Sequence, residues 1–257
     1  KDDWLDVITP MAYAKRHAPR GLVYVPGTGY PELEAWARGL EAKETEAGPA
    51  TSFKRFFMRY PEANHMHKRM LEVSHKVHLS SLDGQPREAA KRELFRAQCN
   101  CAYWHGMFGG LYYPFLRDAV YEHLLKAERL VGGPGKGVEA YDLDCDGQNE
   151  LTLRSPHLKA VLAPHKGGLI YELDDLAMAA NLTNTLARHP EPYHDTAFDA
   201  SVTDTKRLGL FGDGLYVSGQ IRNAEELRDA RLPELAPLGE VNYEVTPIEN
   251  ADRKSVV

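Results

Sequence analysis

An uncharged segment rich in aromatic and amide side chains is the part of the chain whose residue types could do chemistry. Residues 97–116 contain no Asp, Glu, Lys or Arg, but they include Gln98, Asn100, Trp104 and His105. Aromatic rings cover the C–H faces of a sugar, while amide and imidazole groups hydrogen-bond to its hydroxyls. We therefore predict that these four residues line a pocket for a neutral, hydroxyl-rich ligand such as a sugar.

A helix is predicted to position these residues. It is expected to begin at Pro86 and to run to about His105, where Gly106 breaks it. On a helical wheel, one apolar stripe is formed by Leu94, Ala97, Cys101, Trp104 and Phe108. The opposite face carries Phe95 and Cys99, so the helix is predicted to be buried nearly all round. Trp104 alone could equally be a core residue.

The polar side chains decide between core and ligand site in this prediction. A buried amide or imidazole without a partner costs about 1–3 kcal/mol. One such residue is commonly satisfied within a core, but several of them beside a glycine-rich helix end favour a ligand. His105 would lie at that end, immediately before Gly106.

A second candidate site lies in an acidic turn. Asp142, Asp144 and Asp146 are followed by Gly147, as in the first half of a calcium-binding EF-hand loop. The twelfth position of such a loop carries Glu, where this chain has Leu153, although Glu150 could replace it in another geometry. Two interpretations therefore stay open: a calcium site formed by the three aspartates and Glu150, and an Asp-rich hairpin turn that binds no metal.

Composition restricts the class of protein. The chain has 257 residues, a net charge of −6 and a pI near 6.0, which argues against a nucleic-acid partner. No apolar run is long enough to cross a bilayer, so no membrane partner is expected. Three cysteines and the lack of a secretion signal indicate a reducing compartment, and we predict a cytoplasmic protein with free thiols. The cysteines lack zinc-site spacing, and Cys99 and Cys101 are predicted to be buried.

The chain divides into a helical and a β-rich half at the segment Val131-Gly-Gly-Pro-Gly-Lys-Gly137. We predict an α+β, multi-domain protein with a small antiparallel helical bundle followed by a partial antiparallel β-sandwich. The bundle is assigned to residues 31–131 and the sandwich to residues 138–257, with a weak pattern after residue 195. Residues 22–25 are predicted to form a short strand ahead of the bundle.

Proline and hydrophobic spacing predict the individual elements. Helices are expected to begin at Pro31, Pro61, Pro86 and Pro114, and residues 41–52 are expected to be a loop. Core positions are predicted at Met66, Met70, Val73 and Val77 in one helix, and at Phe115, Val120, Leu124 and Leu125 in another. Strands are predicted at 138–143, 150–153, 158–162 and 168–173.

Several segments carry a family resemblance. KRFFMRYPEANHMHK at 54–68 and AQCNCAYWHGMFGGLYY at 97–113 resemble glycoside hydrolase family 57, in particular its α-amylase and 4-α-glucanotransferase branch. Residues 23–36 resemble the link after that family's catalytic barrel, and residues 142–147, 164–173 and 188–194 resemble its C-terminal β-sandwich. The resemblance covers residues 4 to 195 and implies that residues 1–30 are the end of the barrel and the link.

The resemblance implies retaining cleavage or transfer of α-glucans by a Glu nucleophile and an Asp acid/base. Both belong to the family's barrel, so no Asp or Glu of this sequence inherits a catalytic role. This sequence does match the family's bundle helix, which closes over the mouth of the barrel. The match implies that Trp104 and His105 line the substrate site, with Gln98 and Asn100 as supporting donors. Glu62, Asn64 and His67 resemble bundle residues with packing and hydrogen-bonding roles.

The expected function follows from that resemblance. We predict that the chain is a fragment of an enzyme acting on α-1,4-glucans or maltooligosaccharides, and that it is inactive alone. Two alternatives stay open: a non-catalytic carbohydrate-binding module that uses the same pocket, and a calcium-stabilised interaction domain built on the acidic hairpin. The sequence decides neither between hydrolysis and transfer nor on the oligomeric state.

Overall fold

The computed structural model describes residues 6–24, 29–41, 52–105, 109–132, 135–189 and 191, and two-residue strands at Gly214–Leu215 and Ala236–Pro237. In this part of the chain, six α-helices precede a five-stranded antiparallel sheet. The predicted α+β class is therefore confirmed, with helices first and strands second. Most of the segment after residue 195, where the predicted sandwich pattern weakens, lies outside the described residues.

Proline residues begin most of the helices, because a first-turn residue needs no hydrogen-bonded N–H. The helices are α1 (Pro10–Arg16), α2 (Pro31–Glu41), α3 (Ser52–Arg59), α4 (Pro61–Leu79), α5 (Gly84–Ala97) and α6 (Pro114–Leu130). The predicted starts at Pro31, Pro61 and Pro114 are confirmed, whereas α5 begins two residues before Pro86. None of the described helices is both long and apolar enough to cross a membrane.

Two predictions for the first sixty residues need correction. Leu22, Val23 and Tyr24 are exposed and belong to no strand, while Val25 lies outside the described residues. Helix α3 begins at Ser52, the last residue of the predicted loop 41–52, and the sequence pattern did not indicate this helix. Residues 42–51 of that loop lie outside the described part of the chain. Helix α3 packs inward through Phe56, which stacks on Tyr60 with ring centroids 4.7 Å apart.

The core of the helical part is built around α4. Its four predicted core residues, Met66, Met70, Val73 and Val77, are all buried. They belong to one apolar cluster with side chains from the neighbouring helices, among them Leu33, Trp36, Leu94, Val120 and Leu124. Each such side chain contributes about 1.5–3 kcal/mol when it leaves water. Leu125 is also buried as predicted, but Phe115 is 63% exposed because it lies in the first turn of α6 and stacks on Tyr113.

The sheet follows in sequence order. Its strands are β1 (Gly137–Tyr141), β2 (Glu150–Arg154), β3 (Leu158–Ala163), β4 (Leu169–Asp175) and β5 (Ala180–Asn181), each antiparallel to the next. The four predicted strands are confirmed to within two residues at each end. Gly147, in the β1–β2 turn, has a φ of 91°, a left-handed conformation that glycine adopts without strain.

Buried charges join the helices to the sheet. Arg69 of α4 donates from Nε to Glu172 Oε1 of β4 at 2.8 Å and from Nη2 to Glu128 Oε2 of α6 at 3.3 Å. Lys159 of β3 donates to Glu172 Oε1 at 3.0 Å, and His65 Nε2 lies 2.6 Å from Glu172 Oε2. Burial by itself would raise the pKa of Glu172, but Arg69 and Lys159 hold that pKa well below its usual range. A polar junction therefore connects the two halves of the fold.

Replacing Arg69 by methionine tests this junction. The variant keeps an apolar stem but leaves the buried carboxylates of Glu172 and Glu128 without their guanidinium, so the free energy of unfolding should fall by about 3–5 kcal/mol. Arg96→Met is the control, because Arg96 is exposed and pairs with Glu93 on the surface of α5. We expect that control to change stability by about 0.5 kcal/mol or less. If urea unfolding showed equally small decreases in the free energy of unfolding for both variants, Arg69 would not stabilise the junction between helices and sheet.

Candidate functional site

The helix that carries the candidate site ends earlier than predicted. Helix α5 stops at Ala97, and Cys99 adopts an extended backbone with φ −62° and ψ 117° before a 3₁₀ turn, Asn100–Tyr103. Tyr103 Oη donates to the carbonyl of Ala97 at 2.6 Å and so satisfies one of the free groups at the helix end. Cys and Asn are poor helix formers, which favours a break here. The candidate residues therefore lie in the turn beyond the helix.

The predicted helical stripe is consequently wrong beyond Ala97. Leu94, Ala97 and Trp104 are buried as expected, but Cys101 is exposed and Phe108 lies outside the described residues. The opposite face is not buried either, since Phe95 is 62% exposed and Cys99 is exposed. All three cysteines, including Cys145, are free and exposed, which corrects the prediction that Cys99 and Cys101 are buried.

Trp104 is a buried indole with an aromatic partner near the surface. It is 6% exposed and stacks on Tyr30, with ring centroids 4.9 Å apart and planes inclined by 7°. Its carbonyl accepts from Leu111 N at 2.9 Å. A Cβ at Gly110 would lie 2.1 Å from the same carbonyl oxygen, so only glycine fits there. The glycine pair 109–110 thus lets the chain fold back tightly under Trp104.

His105 is buried against residues of helices α2 and α3. It is 5% exposed, and its ring packs against Trp36 and Phe56 with centroid distances of 6.0 Å and 5.3 Å. Trp36 in turn donates from Nε1 to Glu191 Oε2 at 2.7 Å, and Tyr60 Oη donates to the other oxygen of Glu191 at 2.6 Å. His105 therefore fixes the turn to α2 and α3.

The two amides among the predicted residues are exposed. Asn100 donates from Nδ2 to the hydroxyl of Tyr30, which is itself 44% exposed. Gln98 is exposed as well, and its Nε2 donates to Met70 Sδ of α4 at 3.5 Å. The structure therefore brings Asn100 and Trp104 together around Tyr30, with His105 behind Trp104. We name this group the Tyr30 platform: Tyr30, Asn100, Trp104 and His105.

Tyr30 was missed by the sequence prediction. It immediately precedes Pro31, and only the fold places it beside residues that lie about seventy positions later. An aromatic residue next to a helix-starting proline was the signal that could have been used. Residues 25–28 and 106–108, which flank the Tyr30 platform along the chain, lie outside the described residues.

The acidic turn forms a second cluster. One carboxylate oxygen from each of Asp142, Asp144 and Asp146 lies within 4.8 Å of the others, and a second group of the same dimension consists of Asp146, Glu150 and His165. Asp142 accepts from the backbone N–H groups of Asp146 and Gly147 at 3.0 Å and 3.1 Å. His165, which follows β3, was not among the predicted ligands.

Glu150 is the buried member of this cluster. It is fully buried at the start of β2, and its Oε2 accepts from Leu143 N at 2.8 Å. Burial, and then the negative charge of Asp144, raise the pKa of Glu150 from its ordinary 4.5 to about 7. At a pH between 4.5 and about 7, Glu150 therefore keeps its proton in the folded chain and loses it in the unfolded chain.

This difference makes stability depend on pH. With no divalent cation added, the free energy of unfolding should fall as pH rises from about 4.5 to about 7, because ionisation favours the unfolded chain in that window. Glu150→Gln should flatten this part of the curve. Glu139→Gln changes an exposed carboxylate on the neighbouring strand and should keep the wild-type slope. Urea unfolding at half-unit pH steps measures the three curves, and identical slopes for all three would contradict the assignment.

Comparisons with known proteins agree with this architecture. The family model described as "Alpha-amylase/4-alpha-glucanotransferase, middle domain" matches residues 51–131, and its C-terminal counterpart matches residues 142–209. The chain is 39% identical over 215 residues to alpha-amylase 1 of Dictyoglomus thermophilum, and 36% identical over 211 residues to 4-alpha-glucanotransferase of Thermococcus litoralis. These alignments cover 76% and 74% of this chain but only 31% and 30% of the relatives.

The solved structure of the Thermococcus litoralis 4-alpha-glucanotransferase shows the same fold. It superimposes with a TM-score of 0.71 at 31% identity, over 95% of this chain and 40% of that one. The helical part and the sheet thus correspond to the middle domain and the C-terminal domain that these two family models describe. The chain belongs to the alpha-amylase/4-alpha-glucanotransferase family, and it spans about a third of the length of the curated relatives it matches.

Proposed function

We propose that this chain supplies part of the glucan-binding surface of a retaining enzyme that hydrolyses or transfers α-1,4-glucans. The observation that carries the proposal is the Tyr30 platform: a half-exposed tyrosine ring stacked on Trp104, with the exposed amide of Asn100 on its hydroxyl. The relatives named above as an alpha-amylase and a 4-alpha-glucanotransferase support the substrate class.

The four residues of the platform divide into two roles. Tyr30 offers an accessible ring for the C–H face of a glucosyl unit, and the exposed amide of Asn100 can hydrogen-bond to sugar hydroxyls. Gln98, which is exposed two residues earlier in the chain, is a further candidate amide for the ligand. Trp104 and His105 are nearly covered, so we assign them to holding the tyrosine and the turn in place. A rigid aromatic surface binds with less loss of conformational entropy than a mobile one.

Binding of maltoheptaose tests this role. Tyr30→Ala and Asn100→Ala should each weaken the affinity of the chain by about tenfold, equal to about 1.4 kcal/mol. Tyr113→Ala is the matched control, because Tyr113 is also 44% exposed but stacks on Phe115. Calorimetric titration measures all three variants. The proposal fails if the control loses as much affinity as the two platform variants, or if neither platform variant differs from wild type.

Turnover is expected to be absent in the same samples. The family resemblance assigns the nucleophile and the acid/base to the catalytic barrel, whereas the family models match residues 51–131 to a middle domain and residues 142–209 to a C-terminal domain. Purified chain incubated with maltoheptaose should therefore release neither shorter nor longer oligosaccharides, as measured by chromatography. Product formation that disappears in Tyr30→Ala would contradict this expectation, since a contaminating enzyme would be unaffected by that substitution.

A further inference from the structure

The β1–β2 turn collects more negative charge than a hairpin needs. Asp142, Asp144 and Asp146 place carboxylate oxygens within 4.8 Å of one another, and Asp146 lies in a second group of that size with Glu150. Asp142 and Asp146 stabilise the turn because their carboxylates accept hydrogen bonds from backbone N–H groups. The two further carboxylates of this turn, Asp144 and Glu150, are buried.

Glu150 gives an independent indication of a ligand. Its side chain is fully buried, and its Oε1 has no hydrogen-bond partner among the described residues, while Oε2 accepts from Leu143 N. A buried carboxylate oxygen without a partner costs free energy, and native structures rarely keep one without a reason. One oxygen of this carboxylate lies within 4.8 Å of a carboxylate oxygen of Asp146.

We propose that the β1–β2 turn binds a calcium ion through the carboxylates of Asp142, Asp144, Asp146 and Glu150. Calcium takes six to eight oxygen ligands, and clustered carboxylates with backbone carbonyls and water supply them. An ion at this position gives the buried oxygen of Glu150 a partner and neutralises the aspartates.

The role of His165 distinguishes a calcium site from a transition-metal site. Its Nε2 lies 3.5 Å from Asp146 Oδ2, and imidazole with two carboxylates is a donor set that suits zinc. Calcium binds imidazole poorly. Loss of His165 should therefore leave the proposed site intact, whereas a zinc site would require it.

The ion would also stabilise the contact between the sheet and the bundle. Asn64 of α4 donates from Nδ2 to the backbone carbonyl of Asp144 at 2.6 Å, so the turn is attached directly to the core helix. Ordering of the turn by calcium should consequently raise the melting temperature of the whole chain.

The experiment uses the full chain after treatment with EDTA and dialysis. Calcium chloride should bind with one-to-one stoichiometry in calorimetry and should raise the melting temperature. Asp146→Asn and Glu150→Gln should each weaken calcium affinity at least tenfold, and Asp146→Asn changes an exposed residue whose loss spares the core. Asp175→Asn is the control, because Asp175 also accepts backbone N–H groups in a turn of the same sheet.

The outcomes separate the proposal from its alternatives. Calcium affinity that is unchanged in His165→Gln and Asp175→Asn but reduced in the two ligand variants supports the site. Absence of saturable calcium binding at millimolar concentration shows a plain hairpin turn and overturns the proposal. Tight zinc binding that is lost in His165→Gln, with no calcium binding by wild type, also overturns it.

Discussion

The buried guanidinium of Arg69 is the interaction on which the arrangement of helices and sheet depends. It contacts carboxylates from α6 and β4, and Lys159 shares one of them. A buried charge is tolerated only when its partners are held in good hydrogen-bonding geometry, so this cluster fixes how α4 lies against the sheet. Packing between the halves is therefore specified by charge pairing as well as by apolar burial.

Helix α4 is the common support of both candidate sites. At its first turn, Glu62 Oε1 accepts from Ala187 N at 3.0 Å, and Asn64 reaches the acidic turn of the sheet. The hydrogen-bonding role that the family resemblance implied for these two residues is thereby confirmed. Just before the helix, Tyr60 and its buried partner Glu191 bring Trp36 and the His105 turn to the same end. A change in α4 should therefore affect the platform and the acidic turn together.

Regular elements were predictable from sequence, whereas their ends and polar contacts were not. Proline marked the starts of α2, α4 and α6, and alternation with turn residues gave four strands. The end of α5 was missed because the hydrophobic spacing continues to Trp104, past the extended backbone at Cys99 and the Tyr103 hydroxyl that closes the helix. Periodicity treats charged residues as surface, so it could not find a buried Arg69. The acidic motif predicted Glu150 as a metal ligand. It could not predict His165, because the fold of the sheet brings that residue close to Glu150.

The central claim is that a glucosyl unit lies on the Tyr30 platform. A crystal structure of the chain soaked with maltoheptaose tests it most directly. We expect electron density for a sugar ring parallel to the ring of Tyr30, with a hydroxyl within hydrogen-bond distance of the Asn100 amide. Well-ordered sugar on another surface, with the face of Tyr30 uncovered in the same crystal, would contradict the claim.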